Sequence, residues 1–189
     1  MAIRKSIWFY NSAVPTLAVN VTSNASNTSS TTATLDYLSH TSTHVTTAAA
    51  YRYMDMTSVT DYVIQTGDYL EYDIYWDSNL AYIALDLICS DGATLRDSSA
   101  RDQNNLPSHP GTDLTSYAYL KWYHRKIPVT TLWLSNTNVS SIGKTISAYI
   151  LGAESDTLST ALTARFKNIC ITDGKGNTVY DTQSFGALF

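Results

Sequence analysis

The chain has 189 residues, enough for one hydrophobic core. Its net charge is −4 and its basic residues are scattered, which excludes the concentrated positive footprint of a nucleic-acid binder. No apolar run reaches the roughly 18 residues of a membrane span, and charged residues make up only 15% of the chain, whereas Ser and Thr number 48 and Tyr 14. With no sustained helical period, that bias predicts an all-β protein.

Residues 1–50 read as an N-terminal arm with a Ser/Thr/Asn-rich segment, and residues 51–189 as an antiparallel β-sandwich. The opening Met1–Asn11 carries the charges of a signal n-region, but its apolar run breaks at Asn11 and Pro15, so no signal peptide is expected. Residues 1–20 suit a strand or a docking arm. The low-complexity stretch 21–34 suits a linker or a plain edge strand. Leu35–Leu38 and Thr46–Met54 are weaker strand candidates, the alanine triplet at 48–50 offering a helical turn instead.

From Asp61 onward the pattern sharpens. Asp61–Gln65 reads as a short strand, Thr66–Asp68 as a turn, and Tyr69–Trp76 as a strongly alternating strand. Its parities separate Tyr69, Glu71, Asp73 and Tyr75 from Leu70, Tyr72, Ile74 and Trp76. Ala81–Cys89 follows, with Ile83, Leu85, Leu87 and Cys89 as core opposite Tyr82 and Asp86. Asp91-Gly92 is a turn before Ala93–Arg96. Residues 97–114 hold Asp, Asn, Pro and Gly without period and form a long loop, a length common in functional loops. Tyr117–Val129, Thr145–Leu151 and Thr163–Thr172 are strands, the last closed by the turn at 173–176 into a hairpin with Asn177–Asp181. In Tyr117–Val129, one parity carries Tyr117, Tyr119, Lys121, Tyr123 and Arg125. The other, with Leu120 and Trp122, is expected beneath it as a partly apolar underside.

Two cysteines, Cys89 and Cys170, are too few for a disulfide framework and read as buried thiols, one bridge between strands being the alternative. His40 and His44 are spaced His-x-x-x-His, but in a Ser/Thr tract rather than a helix, and two ligands make a poor zinc site. No metal is expected to be resident. The Asp97–Asn105 loop offers hard oxygens for calcium without the Asp-x-Asp-x-Asp-Gly spacing. The Asn-x-Ser/Thr sequons at Asn20, Asn24, Asn27 and Asn138 arise readily by chance in such a composition.

The block from about Asp61 to Asp181 resembles galactose-binding-like jelly-roll modules, the fold of many carbohydrate-binding modules. The signals are Gly67–Ile74, Leu87–Gly92, Lys121–Ile127, Gly143–Ile146 and Phe166–Gly174 in that order. The resemblance implies a jelly-roll sandwich that binds carbohydrate. It places Lys167 where such modules often carry an acid, which argues against their structural calcium.

Catalytic chemistry has little to work with. There are only two glutamates, Glu71 and Glu154, and no Gly-x-Ser-x-Gly elbow, His-Glu-x-x-His helix or phosphate loop. Glu71 and Asp73 share a strand parity, a common pattern on solvated sheet faces. Rings flanked by hydrogen-bonding groups suit sugars, so Tyr117, Tyr119, Tyr123 and Arg125, capped by Asp102, Gln103 and His109, are the expected carbohydrate-binding residues. Trp133 is either a hydrophobic plug or a stacking residue. The expectation is a non-enzymatic structural or adhesive protein on a particle surface, such as a phage virion decoration or tail component. Its partners would be glycans and other virion subunits, with homo-oligomers formed. The alternative is an accessory module of an extracellular polysaccharide-degrading enzyme.

Overall fold

A computed structural model describes residues 5–6, 20–22, 28–33, 37–45, 50–55, 62–77, 82–109, 117–154, 160–173 and 178–181. Among these residues the regular structure is all strand, in antiparallel sheets apart from one parallel pair. The strands in chain order are β1 (Lys5–Ser6), β2 (Asn20–Thr22), β3 (Thr28–Ala33), β4 (Leu38–His44), β5 (Ala50–Asp55), β6 (Tyr69–Trp76) and β7 (Tyr82–Cys89). They continue with β8 (Tyr123–Pro128), β9 (Thr131–Leu134), β10 (Thr137–Ser140), β11 (Ile146–Glu154), β12 (Thr160–Thr172) and β13 (Thr178–Asp181).

The larger sheet is organised by β12, the longest strand. On one edge it pairs with β6, which in turn pairs with β8; on the other it pairs with β4 and then β13, with β3 beyond β4 and β1 beyond β13. The smaller sheet runs β2-β5-β11-β7. Leu70, Tyr72, Ile74, Trp76, Phe166, Ile169 and Ile171 from the first sheet pack with Ile83, Leu85, Leu87, Tyr149 and Leu151 from the second in one buried cluster. That is a β-sandwich core: each strand turns its apolar parity inward.

The strands expected at 69–76 and 82–89 form as read, and Ile83, Leu85, Leu87 and Cys89 are core. Asp86 departs from expectation, since it is buried too. Three backbone amides, of Leu87, Leu95 and Arg96, donate to its Oδ1, so the loop after β7 closes over it. Gly67 and Gly92 adopt left-handed φ in the two expected turns. Of the short strand expected at Asp61–Gln65, the described residues 62–65 hold a single bridge, Val63 with Thr145.

Residues 28–33 form β3, an edge strand on β4, and β4 pairs along β12 from His44–Thr160 to Leu38–Phe166. Within the stretch expected as an arm, β4 supplies Leu38 to the core. Residues 1–4, 7–19 and 182–189 lie outside the described set, as does the tip of the β12–β13 hairpin. His40 and His44 are both buried on the inner side of β4. Four residues of strand hold them about 13 Å apart, too far to share one ion. Cys89 and Cys170 are free thiols, and burial pushes the Cys89 thiol up to about 12.

Tyr117–Val129 is the largest correction. Only Tyr123–Pro128 is strand; residues 117–121 turn through bends, with Leu120 at φ 60 and its amide donating to the Trp76 carbonyl. The parity is also reversed. Arg125 and Ile127 face inward and Tyr123 is half-buried, while His124, Trp122 and Leu120 are exposed. Val129 and Ile127, both fully buried, fix this phase, and the register with β6 carries it back to Tyr123.

Candidate functional site

The face of the large sheet turned away from the core gathers polar and aromatic groups from β6, β8 and β12. On β6 they are Tyr69, Glu71, Asp73 and Tyr75, all half-buried. Register sets Glu71 opposite Lys126 and Asp73 opposite His124 on β8. It sets Asp73 opposite Lys167 and Tyr75 opposite Arg165 on β12. A bulge between Lys167 and Cys170, with Asn168 at φ 53, switches the parity of β12 partway along. Phe166 and Ile169 thus both reach the core while Lys167 and Cys170 both stay outside.

One half of this face is a hydrogen-bonded knot. His124 bridges the two acids, with Nδ1 at 2.9 Å from Asp73 Oδ1 and Nε2 at 3.1 Å from Glu71 Oε2. Lys126 Nζ lies 2.9 Å from Glu71 Oε1, which also accepts from Thr172 Oγ1. Asn168 Nδ2 donates to Asp73 Oδ2. Burial disfavours the Glu71 carboxylate. The hydrogen bonds of Thr172 and Lys126, with the charges of Lys126 and His124, outweigh that and hold its carboxyl below the usual range.

The other half is aromatic and cationic. The Trp122 ring, 37% exposed, stands 5.6 Å from Tyr75 and 6.2 Å from Tyr37 between ring centroids. Arg165 lies over both tyrosines, its Cζ 4.9 Å from the Tyr75 centroid and 5.0 Å from that of Tyr37. Lys167 Nζ sits 4.2 Å from the Trp122 centroid. Beyond Arg165 the outer parity of β4 continues with Ser39, Thr41 and Thr43, so the aromatic patch borders a hydroxyl-rich surface.

The residues expected to bind carbohydrate fall into three groups. Arg125 and Asp102 are sealed off: their side chains are 0% exposed and pair at 2.9 Å, Nε to Oδ2. Arg125 also donates to the Tyr72 hydroxyl and the Pro107 carbonyl, while Asp102 Oδ1 accepts from the amides of Asn104 and Leu106. Together they fix the long loop onto the sandwich from beneath. Gln103 and His109 are occupied at the loop surface. The Gln103 side chain donates to the His124 carbonyl and accepts from the Lys126 amide, extending the edge of β8. His109 faces Asp97 at 3.5 Å. Tyr117, Tyr119 and Tyr123 lie at the rim. Tyr123 stacks on Tyr117 (4.5 Å) and on Trp76 (5.5 Å), Asn104 donates to the Tyr117 hydroxyl, and Tyr119 is 42% exposed in the bend.

Trp122, Tyr75, Tyr37, Arg165 and Lys167 are the residues that reading missed as a group. For Trp122 a signal was present in the sequence: counting inward-facing positions back from Val129 and Ile127 puts Arg125 inside and His124 and Trp122 outside. The calcium considered for Asp97–Asn105 meets acids already committed, Asp97 to Arg96 and His109 and Asp102 to Arg125. Among the described residues no three His, Cys, Asp or Glu side chains gather as metal ligands would. Trp133 is half-buried in β9, which pairs with β10, and exchanges backbone hydrogen bonds with Thr94. No protein-family model matches the chain, and comparison with curated proteins gives no match either.

Proposed function

We propose that this chain is a non-catalytic adhesive module that holds glycans on the outer face of its large sheet. It is a sandwich of jelly-roll type displayed on a particle surface, such as a phage virion decoration or tail component. The observation that carries the reading is the exposed Trp122 ring set among Tyr75, Tyr37, Arg165 and Lys167, beside the knot of Glu71, Asp73 and His124. A pyranose stacks its C–H face on an indole, and fixed donors and acceptors around the ring read its hydroxyls. Glu71 and Asp73 share one imidazole instead of standing on opposite sides of a cleft, so they serve recognition better than glycoside cleavage, which needs two carboxyls flanking the bond. The particle-surface placement, with sister virion subunits or further copies as neighbours, draws its support from the hydroxyl-rich, lysine-poor composition.

A broad glycan array tests the reading. The wild-type protein should bind a defined subset, and Trp122→Ala should weaken that binding by tenfold or more, in line with the loss of one stacked ring. Its thermal melt should stay cooperative because Trp122 lies outside the core. Tyr123→Ala, by contrast, should lower the melt through lost packing on Trp76 and Tyr117. A wild-type protein that binds nothing on the array overturns the proposal.

A further inference from the structure

Resting on the glycan reading above, the geometry points to a specific ligand class: we propose that the Trp122 patch takes an acidic sugar, a pyranose bearing a carboxylate or sulfate, with Arg165 and Lys167 receiving the anion. The argument starts from where the negative charge of this face is already spent. Asp73 and Glu71 offer four carboxylate oxygens, and all four are engaged: by His124 twice, by Asn168, and by Lys126 together with Thr172. Lys167 stands directly opposite Asp73 in the ladder, yet the acid is turned to His124 and Asn168. Among the described residues Arg165 and Lys167 have aromatic rings as their partners and no carboxylate.

A cation laid on a ring face is held in place without being neutralised. The guanidinium keeps its N–H edge for an oxyanion while its plane stacks, and an ammonium keeps donors pointing away from the ring. Arg165 and Lys167 sit two residues apart on one strand, about 7 Å along it, so they flank a surface about one pyranose wide. Trp122, in contact with Lys167 and with the two tyrosines that Arg165 covers, offers the stacking plane. Both cations are half-buried, a setting in which charge pairs are screened less than on open surface. The chain as a whole carries a net charge of −4, so general attraction to polyanions is weak and any selectivity for them is local.

Affinity electrophoresis through polygalacturonate, the same polymer after carboxyl reduction, dextran sulfate and dextran decides the matter. The expected result is retardation by polygalacturonate or dextran sulfate, the responding polymer distinguishing carboxylate from sulfate, with reduced polymer and dextran bound at least tenfold more weakly. Arg165→Gln and Lys167→Gln should each remove most of that preference, and Arg165→Lys, which retains the charge, should restore part of it. Lys144→Gln removes one charge beside Asp91, outside this face, and should leave retardation unchanged. Equal binding of neutral and acidic polymers, or an undiminished preference in Arg165→Gln and Lys167→Gln, overturns the acidic-sugar inference while the glycan reading stands. Failure of all four polymers together with an empty glycan array sinks both.

Discussion

The Arg125 guanidinium meets the Asp102 carboxylate at 2.9 Å with neither side chain exposed to solvent. Tyr72 completes the group by accepting from Arg125, and its hydroxyl also receives the Leu85 amide at 3.4 Å, so one network joins the long loop to both sheets. Removing one member of a buried pair leaves the other charged and unpartnered, which costs far more than the pair itself contributes. Asp102→Asn should therefore lower stability by about 3 kcal/mol. Urea denaturation followed by tryptophan fluorescence measures this directly. A midpoint equal to wild type would show that the loop is anchored some other way. At temperatures where the variant remains folded, glycan binding should change little, because neither side chain reaches the surface.

Asp86 supplies a pH dependence of defined sign. Burial, acting against Arg96 and three backbone amides, pushes its carboxyl up to about 7 from an ordinary 3.8. The folded protein therefore holds this proton more tightly than the unfolded chain does. The associated stability is full below pH 3.8 and is lost as pH rises toward 7. A single such group gives a slope of up to about 1.4 kcal/mol per pH unit across that window. Glu71 acts in the opposite sense but only lower, its stabilisation being lost as pH falls through its depressed folded value. Denaturation measured from pH 5 to 8 should show wild type weakening with rising pH. Asp86→Asn, which keeps the acceptor for the three amides, should flatten the curve; an unchanged slope would assign the dependence to another group.

How much of this was legible in the sequence depends on the strength of the local alternation. Tyr69–Trp76 alternates without exception, and both its bounds and its faces follow from that. In 117–129 one parity carries Tyr117, Tyr119, Lys121, Tyr123 and Arg125, but Leu120 takes a left-handed φ and the segment bends before the strand begins. Tyrosine and arginine there looked like a surface row because both are usually exposed. Tyr72 and Asp102 reverse that for Arg125 by satisfying it in the interior, a partnership between residues 53 and 23 positions away that no local pattern encodes. The β9–β10 hairpin left a faint trace for a similar reason. Its two-residue turn uses Ser135 and Asn136, both at positive φ, where Asn-Gly would have announced it. The face itself needed β12 beside β6, a long-range pairing, before Arg165 and Lys167 could be seen next to Trp122.

Asn168 offers a test of how that face is assembled. Its φ of 53 lies where a Cβ is strained, and its side chain donates to Asp73 Oδ2. Asparagine tolerates this region better than most residues, and glycine tolerates it best. Asn168→Ala should lose both the hydrogen bond and the backbone compatibility, at a cost of about 2 kcal/mol. Asn168→Gly loses the hydrogen bond but gains freedom at φ, so it should cost about 1 kcal/mol or less. Chemical denaturation of the two variants side by side gives the ordering, and alanine more stable than glycine would mean the bulge is not held in this conformation. The same bulge sets which residues of β12 face outward. Asn168→Val, with a β-branched side chain least able to take a left-handed φ, should therefore weaken glycan retardation more than Asn168→Gly does at equal folded fraction. Equal retardation by the two would separate the parity of β12 from recognition at the Trp122 patch.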